Sequence, residues 1–224
     1  MDATVAMENG FFVEENVLGK SDAEHLLRAL ANVPHSRAGS RHLMSLPAVG
    51  QLASDPRLLN IAAAALNSTA VPFRATLFDK SPAANWKVAW HQDTALPLTR
   101  RQESAGWGPW SIKDGVHYAH APTRALEKVV AIRVHLDPST SANGPLRVIP
   151  GTHRLGVLSD NQVAEIARNK NSVECLGGAG SVLCMRPLVI HASSKSESEI
   201  PRRVLHIEYA TTLAIDDGLE LAIA

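Results

Sequence analysis

The amino-acid sequence predicts a mainly β fold with flanking helices, two sheets closed into a barrel with helices laid over the outside of one of them. Three observations carry this expectation. Residues 129–137 alternate, with Val130, Ile132, Val134 and Leu136 on one face and Arg133, His135 and Asp137 on the other. Residues 202–209 repeat the arrangement, Arg203, Leu205 and Ile207 alternating with Arg202, Val204, His206 and Glu208. Ahead of both lies a first third with apolar residues at helical spacing. A face of charged and imidazole groups turned into a barrel can be satisfied by an active site. Parity alone leaves a second reading open, in which that face is solvated.

The elements follow in order. Ser21-Asp22-Ala23-Glu24 is a capping-box pattern, and Leu26, Leu27 and Leu30 form the apolar stripe of the helix behind it. A second helix follows Ser54, with Leu58, Leu59, Ile61 and the run 62–66, and Asn67-Ser68 ends it. Between them, residues 37–47 are rich in turn formers and basic residues and are expected to form a loop. Strands are expected over residues 71–78, 180–185 and 188–192, in addition to the two alternating segments. Asn143-Gly144 followed by Pro145 is a strong turn signal. No internal repeat or low-complexity linker appears, so the 224 residues are read as a single domain. Its helical N-terminal part would span about residues 10–67 and its β core about residues 71–212.

Composition narrows the function classes. Lys plus Arg and Asp plus Glu both number 22, a balance that argues against nucleic acid or an anionic membrane as the main partner. No apolar run reaches the ~18 residues of a membrane span, and residues 1–10 do not resemble a signal peptide. Cys175 and Cys184 do not suggest a secreted disulfide framework and are expected to be buried thiols. The expectation is a cytoplasmic protein acting on a small molecule, as a monomer or homodimer.

The chemistry lies in His91-Gln92-Asp93 and His191. Two imidazoles and one carboxylate make the three-ligand face that holds non-haem Fe(II) and leaves adjacent coordination positions open. Ten His and ten Asp in this chain produce about one half of a His-x-Asp motif by chance. The chain contains a second, His135-Leu136-Asp137, inside an apolar strand and ending at Pro138. Position favours the first, which follows Trp86 and Trp90 and opens a long irregular stretch over residues 94–123. His191 ends an apolar strand and is the natural third ligand. The loop after it returns into Arg202, an expected hairpin that would bring a permanently charged fork to the same end of the barrel. Arg203 has the opposite parity and is expected to be structural.

A series of motifs in order, Phe78-Asp79-Lys80, Asn85-Trp86, Trp90-His91-Gln92-Asp93, Gly108-Pro109-Trp110, Asn143-Gly144-Pro145-Leu146, Pro150-Gly151-Thr152-His153 and His191-Ala192-Ser193 with Arg202, resembles the phytanoyl-CoA dioxygenase family. The resemblance runs from about Gly10 to Thr212. It implies a double-stranded β-helix (jelly-roll, cupin-like) fold, Fe(II), O2 and 2-oxoglutarate as co-substrate, with release of succinate and carbon dioxide. It implies His91, Asp93 and His191 as metal ligands and catalytic residues. Arg202, eleven residues after His191, matches the arginine for the far carboxylate of 2-oxoglutarate, and Ser193 matches a hydroxyl that assists it. Lys80 and Asn85 are further candidate contacts to 2-oxoglutarate, although Lys80 equally suits a surface ion pair. The presence of Asp93 favours hydroxylation over halogenation.

Residues 94–123 have two readings of equal weight: a lid over the site with Trp110, His117 and His120 as substrate contacts, or a loop that Trp107 and Trp110 pack onto the barrel with its histidines exposed. Arg133 faces inward by parity and is a further candidate for the pocket. Two rival classes use the same face: a non-oxygenase cupin-like metalloenzyme, such as an isomerase or hydrolase, and an inactive jelly-roll ligand-binding protein. Arg202 argues against the first, and the intact ligand set argues against the second.

Overall fold

A computed structural model describes residues 7–34, 39–81 and 84–224. Positions 37 and 38 of the expected loop, and most of the N-terminal stretch 1–10, lie outside the described residues. In chain order the strands are β1 (Phe11–Glu14), β2 (Val71–Lys80), β3 (Val88–His91), β4 (Ala95–Leu98), β5 (Trp110–Lys113), β6 (Val116–His120), β7 (Val129–His135), β8 (Leu146–Val148), β9 (Val173–Cys175), β10 (Val182–Met185), β11 (His191–Ser193), β12 (Arg202–Ala210), β13 (Ala214–Asp216) and β14 (Leu219–Glu220). The longer helices are α1 (Lys20–Ala29), α2 (Pro47–Ala53), α3 (Pro56–Leu66) and α4 (Asp160–Asn169).

Five strands form one antiparallel sheet in the order β1-β10-β7-β12-β2, and four form a second in the order β3-β11-β8-β9. Ala131, Leu183 and Met185 of the first pack against Leu146, Val148 and Cys175 of the second. The two sheets therefore face each other in a jelly roll. On the outer side of the first sheet, Val130, Ile132, Val134, Leu205 and Ile207 pack against Leu26, Leu52, Leu58 and Ala62 of the helices. That packing decides the parity question: every residue of β7 is buried, Arg133 and His135 included, so the polar face points into the barrel.

Local chemistry moves several boundaries. Helix α1 starts before Ser21, and Asp22 accepts the backbone N–H of the N-cap Gly19 at 3.1 Å. Asp55, rather than Ser54, caps α3 by accepting the Arg57 N–H at 2.9 Å, and Asn67 ends it at φ +50°. Residues 37–47 contain a 3₁₀ turn over Leu43–Ser45, and the expected loop gives way at Pro47 to α2, whose first turn needs no proline N–H. The N-terminal part is not wholly helical, because β1 pairs along β10 with Phe12 opposite Cys184. The chain beyond residue 212 also joins the fold: the Ala224 N–H donates to the Phe73 carbonyl at 2.7 Å.

The largest correction concerns residues 94–123. They are irregular only in part: β4, β5 and β6 form a three-stranded sheet in the order β4-β6-β5, and residues 99–109 between β4 and β5 lie outside it. Asp114-Gly115, at φ +49° and +83°, is a two-residue hairpin turn of the primed type. Leu96, Leu98, Trp107 and Ala119 bury against Phe73, Leu126 and Leu221. A second correction is that β11 and β12 do not form a hairpin: they belong to opposite sheets, and residues 194–201 cross between them. Cys175 and Cys184 are buried and unpaired, and burial pushes both thiols up to about 12. Among the described residues no helix is long and apolar enough to cross a membrane.

The crossing segment rests on Gly144, at φ +65°, where an added Cβ would stand 2.5 Å from the Ser194 carbonyl oxygen. Gly115 has a similar backbone but open space around it. Gly144→Ala is expected to cost about 1–3 kcal/mol of stability, and clearly more than Gly115→Ala, in urea unfolding. Equal costs would show that the crossing segment yields freely.

Candidate metal centre and its flanking pockets

The register of β3 against β11 sets His91 directly opposite His191, with ring centroids 4.2 Å apart. Asp93, two residues on, returns to the same side, and its backbone N–H donates to the Pro187 carbonyl at 3.0 Å. The intervening Gln92 points away and is fully engaged. Its Nε2 donates to the carbonyls of Gly156 (2.9 Å) and Leu188 (2.8 Å), and its Oε1 accepts the Leu158 N–H at 2.9 Å. The chain around Asp93 is thereby fixed.

One ligand atom from each of His91, Asp93 and His191 lies within 4.8 Å of the others. The His91 and His191 Nδ1 atoms lie 2.8 and 2.9 Å from the carbonyls of Ala89 and Val189. A carbonyl only accepts, so each Nδ1 carries the hydrogen and each Nε2 presents its lone pair to the shared space. Asp93 oxygens lie 3.6 Å from His91 Nε2 and 3.4 Å from His191 Nε2. Burial raises the Asp93 carboxyl, but the facing imidazoles in their protonated form outweigh it and hold the group well below the usual carboxylate range. Burial pushes His191 down to about 4, so its ring is neutral at pH 7. This donor set and tautomer pattern fit a divalent first-row metal.

The competing pair is committed elsewhere. His135 Nδ1 lies 2.9 Å from the Ser181 hydroxyl. Asp137 receives both arms of Arg203, at 2.7 and 2.8 Å, which gives Arg203 the structural role its parity suggested.

On one side of the three ligands lies a pocket walled by Lys80, Arg133, Ser193 and Arg202. Lys80 stands opposite Arg202 in the β2–β12 register. The Lys80 Nζ donates to Ser193 Oγ at 2.7 Å and to the Ser194 carbonyl. Arg202 donates to Ser193 Oγ and to the Asn143 carbonyl, both at 3.3 Å. Lys80, Arg133 and Arg202 are 2%, 6% and 4% exposed, and among the described residues none of them has a carboxylate in ion-pair contact. Burial, then Arg202 and Arg133, pulls the Lys80 ammonium down to about 7; burial, then Arg133, pulls Arg202 to about 10. Lys80 is thus a pocket group and not a surface ion-pair residue. Asn85 does not line the pocket: its amide is taken up by the Ser196 backbone, at 2.8 and 2.7 Å.

On the other side of Asp93 is a cavity of about 240 Å³ lined by Arg41, Arg74, Thr76, Lys113, Tyr118 and His120, among others. Arg74 pairs with the buried Glu208 and donates to the Ala95 carbonyl at 2.9 Å. Tyr118 Oη lies 3.0 Å from His42 Nε2, and His120 Nδ1 lies 2.6 Å from Thr94 Oγ1. Of the expected substrate contacts, His120 lines this cavity and Arg133 the other, and Arg133 donates to Nδ1 of His206, a residue of this cavity, at 2.8 Å. Trp110 and His117 line neither; Trp110 packs on the cluster around Phe73, with Arg101 over its ring. Trp107 donates to Asp216 at 2.8 Å, so the tryptophans do pack this segment down. Sequence reasoning missed Arg41, Arg74 and Lys113. The parity of β2 could have revealed Arg74, which alternates with Phe73 and Ala75 exactly as Lys80 does with Leu77 and Asp79 on the same strand.

Removing one partner of a buried pair leaves a bare charge. Glu208→Ala is therefore expected to cost about 3–5 kcal/mol in urea unfolding. Arg203→Ala, which breaks a partly exposed pair, should cost under about 1 kcal/mol. A mild Glu208 variant would mean that Arg74 finds another partner.

The phytanoyl-CoA dioxygenase (PhyH) family model matches residues 12–204. The L-proline trans-4-hydroxylase of Streptomyces griseoviridis is 28% identical over 138 residues, an alignment that covers 50% of this chain and 51% of that protein. The chain thus spans about half the length of that relative. The ectoine dioxygenase of Sphingopyxis alaskensis is 22% identical, over 90% of this chain and 72% of its own. The crystal structure of EctD from S. alaskensis with 2-oxoglutarate and 5-hydroxyectoine superposes with a TM-score of 0.71 at 19% identity, covering 95% of this chain and 76% of that one.

Proposed function

The chain belongs to the phytanoyl-CoA dioxygenase family, and from that premise we propose that it is an Fe(II)- and 2-oxoglutarate-dependent dioxygenase that hydroxylates a small molecule and releases succinate and carbon dioxide. One observation carries the reading. Three buried cations, Lys80, Arg133 and Arg202, converge with no ion-pair partner among the described residues in a pocket that opens onto His91, Asp93 and His191. Such a cluster is costly unless an anion neutralises it, and a dicarboxylate reaching from the metal to Arg202 does so. The relatives named above act on proline and ectoine, both small molecules.

His91, Asp93 and His191 would hold the iron through the two Nε2 atoms and the carboxylate. Bound there, iron and 2-oxoglutarate supply the oxidising power that no side chain of this chain has. The protein's own groups do the rest. The Ala89 and Val189 carbonyls hold the two imidazoles in the coordinating tautomer. Arg202 presents its fork to the far carboxylate, with Ser193 Oγ between it and Lys80. The closed side of the pocket, where His191 is 3% exposed, keeps bulk water from the reacting centre. Two buried, unpaired cysteines accord with a reducing, cytoplasmic setting.

Anaerobic addition of Fe(II) and 2-oxoglutarate is expected to produce a weak visible charge-transfer band. His91→Ala should abolish it and His135→Ala should keep it. Absence of the band, or its survival in His91→Ala, would overturn the assignment.

Lys80 adds a pH dependence. Its folded value near 7 lies below its ordinary 10.5, and a bound dicarboxylate favours the charged form. Above pH ~7, binding must then take up a proton, so affinity for 2-oxoglutarate should fall by up to about tenfold per pH unit. Titrating the band from about pH 6.5 to 8.5 checks this; Lys80→Met should bind weakly and with a flat profile. A flat wild-type profile would remove Lys80 from the co-substrate.

A further inference from the structure

The cavity beyond Asp93 has a charge imbalance that its own residues do not settle. Three strong cations line it: Arg41, Arg74 and Lys113. One carboxylate, Asp93, lines the same space, a second, Glu208, contacts Arg74, and both are committed. Asp93 belongs to the ligand set, and Glu208 pairs with Arg74. Asp114, next to Lys113 in the chain, acts on His42 but forms no ion pair with Lys113 or Arg41. Among the described residues, Arg41 and Lys113 therefore have no anionic partner.

These groups face one another. The Lys113 Nζ sits 4.7 Å from the centroid of the Tyr118 ring, and the Arg74 guanidinium 5.7 Å from the same ring. Burial, then Arg41 and Arg74, holds the Lys113 ammonium below its ordinary range, with Asp93 opposing them. Cations gathered this way at a half-enclosed wall are relieved by an anion. The rest of the lining, including Phe78, Ala95 and Thr76, suits a short carbon skeleton.

Size limits the ligand. At about 240 Å³, the cavity falls below the ~300–1,000 Å³ of sites for drug-sized ligands. A whole acyl-CoA does not fit. On the oxygenase reading given above, we propose that this cavity receives a small-molecule substrate through a carboxylate held between Arg41 and Lys113. Its carbon skeleton then lies along Phe78 toward Asp93. Arg41 and Lys113 thus select for a free acid over its neutral derivatives.

The test uses anaerobic protein with Fe(II) and one equivalent of 2-oxoglutarate. The probes are a library of small metabolic carboxylic acids, each paired with its primary amide and accompanied by phosphate monoesters of similar size. Binding is read by saturation-transfer NMR and by perturbation of the visible band. At least one acid should bind, its amide at least tenfold more weakly. Arg41→Gln and Lys113→Gln should each weaken the acid at least tenfold, and Lys113→Arg should restore it. Both Gln variants should keep the Fe(II)–2-oxoglutarate band, which also shows that they fold. Amides or phosphate esters that bind as well as the acids, no binding by any acid, or acids unaffected by both Gln variants would each overturn the proposal. Loss of the band in the wild type would instead defeat the oxygenase reading itself.

Discussion

The pairing of β2 with β12 decides where nearly every charge of this protein sits, because one register places Lys80 opposite Arg202, Thr76 opposite His206 and Arg74 opposite Glu208. All of these point into the barrel. The alternate residues Ala75, Leu77, Leu205 and Ile207 bury against the helix layer. A slip of one residue would drive Asp79 and Arg203 toward the barrel interior and turn Lys80 and Arg202 onto the helices. Both faces penalise the slip, so the register is held by desolvation on one side and lost packing on the other. The shift at Glu208/Tyr209 places Tyr209 opposite Pro72 and leaves Phe73 without a partner across the pair. Phe73 then joins the cluster beneath β4 and β6. One strand thus anchors the helices along part of its length and the three-stranded sheet at its start.

Charge is distributed unevenly along this pair. Near Lys80 and Arg202 the cations donate to hydroxyls and carbonyls, and Lys80 also lies over the Trp86 ring. Near Arg74 a buried glutamate compensates. Between the two ends, Arg133 donates to His206, whose Nε2 lies 4.0 Å from Glu208. Arg133 also lies over the Phe78 ring, 5.1 Å from its centroid. A line of polar groups therefore joins the walls of the two pockets beneath the metal ligands. A change of charge in either pocket is felt through a medium of low dielectric rather than through water.

Much of this was legible in the chain. Alternation in residues 129–137 and 202–209 gave the right strands and, apart from Asp137, which lies past the end of its strand and pairs with Arg203, the right faces; the ordered motifs favoured the His-x-Asp pair that stands with His191. Other features depended on contacts remote in sequence. Arg202 approaches the site by a crossing between sheets, not by a hairpin, and only the partners of β11 and β12 reveal that. Asn85 was placed near the co-substrate by its position in a motif, whereas its amide braces residue 196. Residues 94–123 were misread for a local reason: Gly106, Gly108 and Pro109 break the alternation, and the Asp114-Gly115 turn that would have marked a hairpin was passed over. Lys113 and Tyr118 of the outer cavity are carried by that hairpin.

The three ligands are unequally buried, and that asymmetry orders the site. The His191 side chain is 3% exposed, whereas those of His91 and Asp93 are 39% and 31% exposed. His191 begins the short strand that leads directly to Ser193, so the deep ligand and the cations around Ser193 share one wall. His91 and Asp93 stand where β3 ends and the chain leaves for the three-stranded sheet; His91 still lines the deep pocket, and Asp93 lines both it and the outer cavity. On the proposed function, 2-oxoglutarate occupies the deep pocket and the substrate the outer one. Asp93 lines both pockets, so it is the ligand that a co-substrate in the deep pocket and a substrate in the outer one would share.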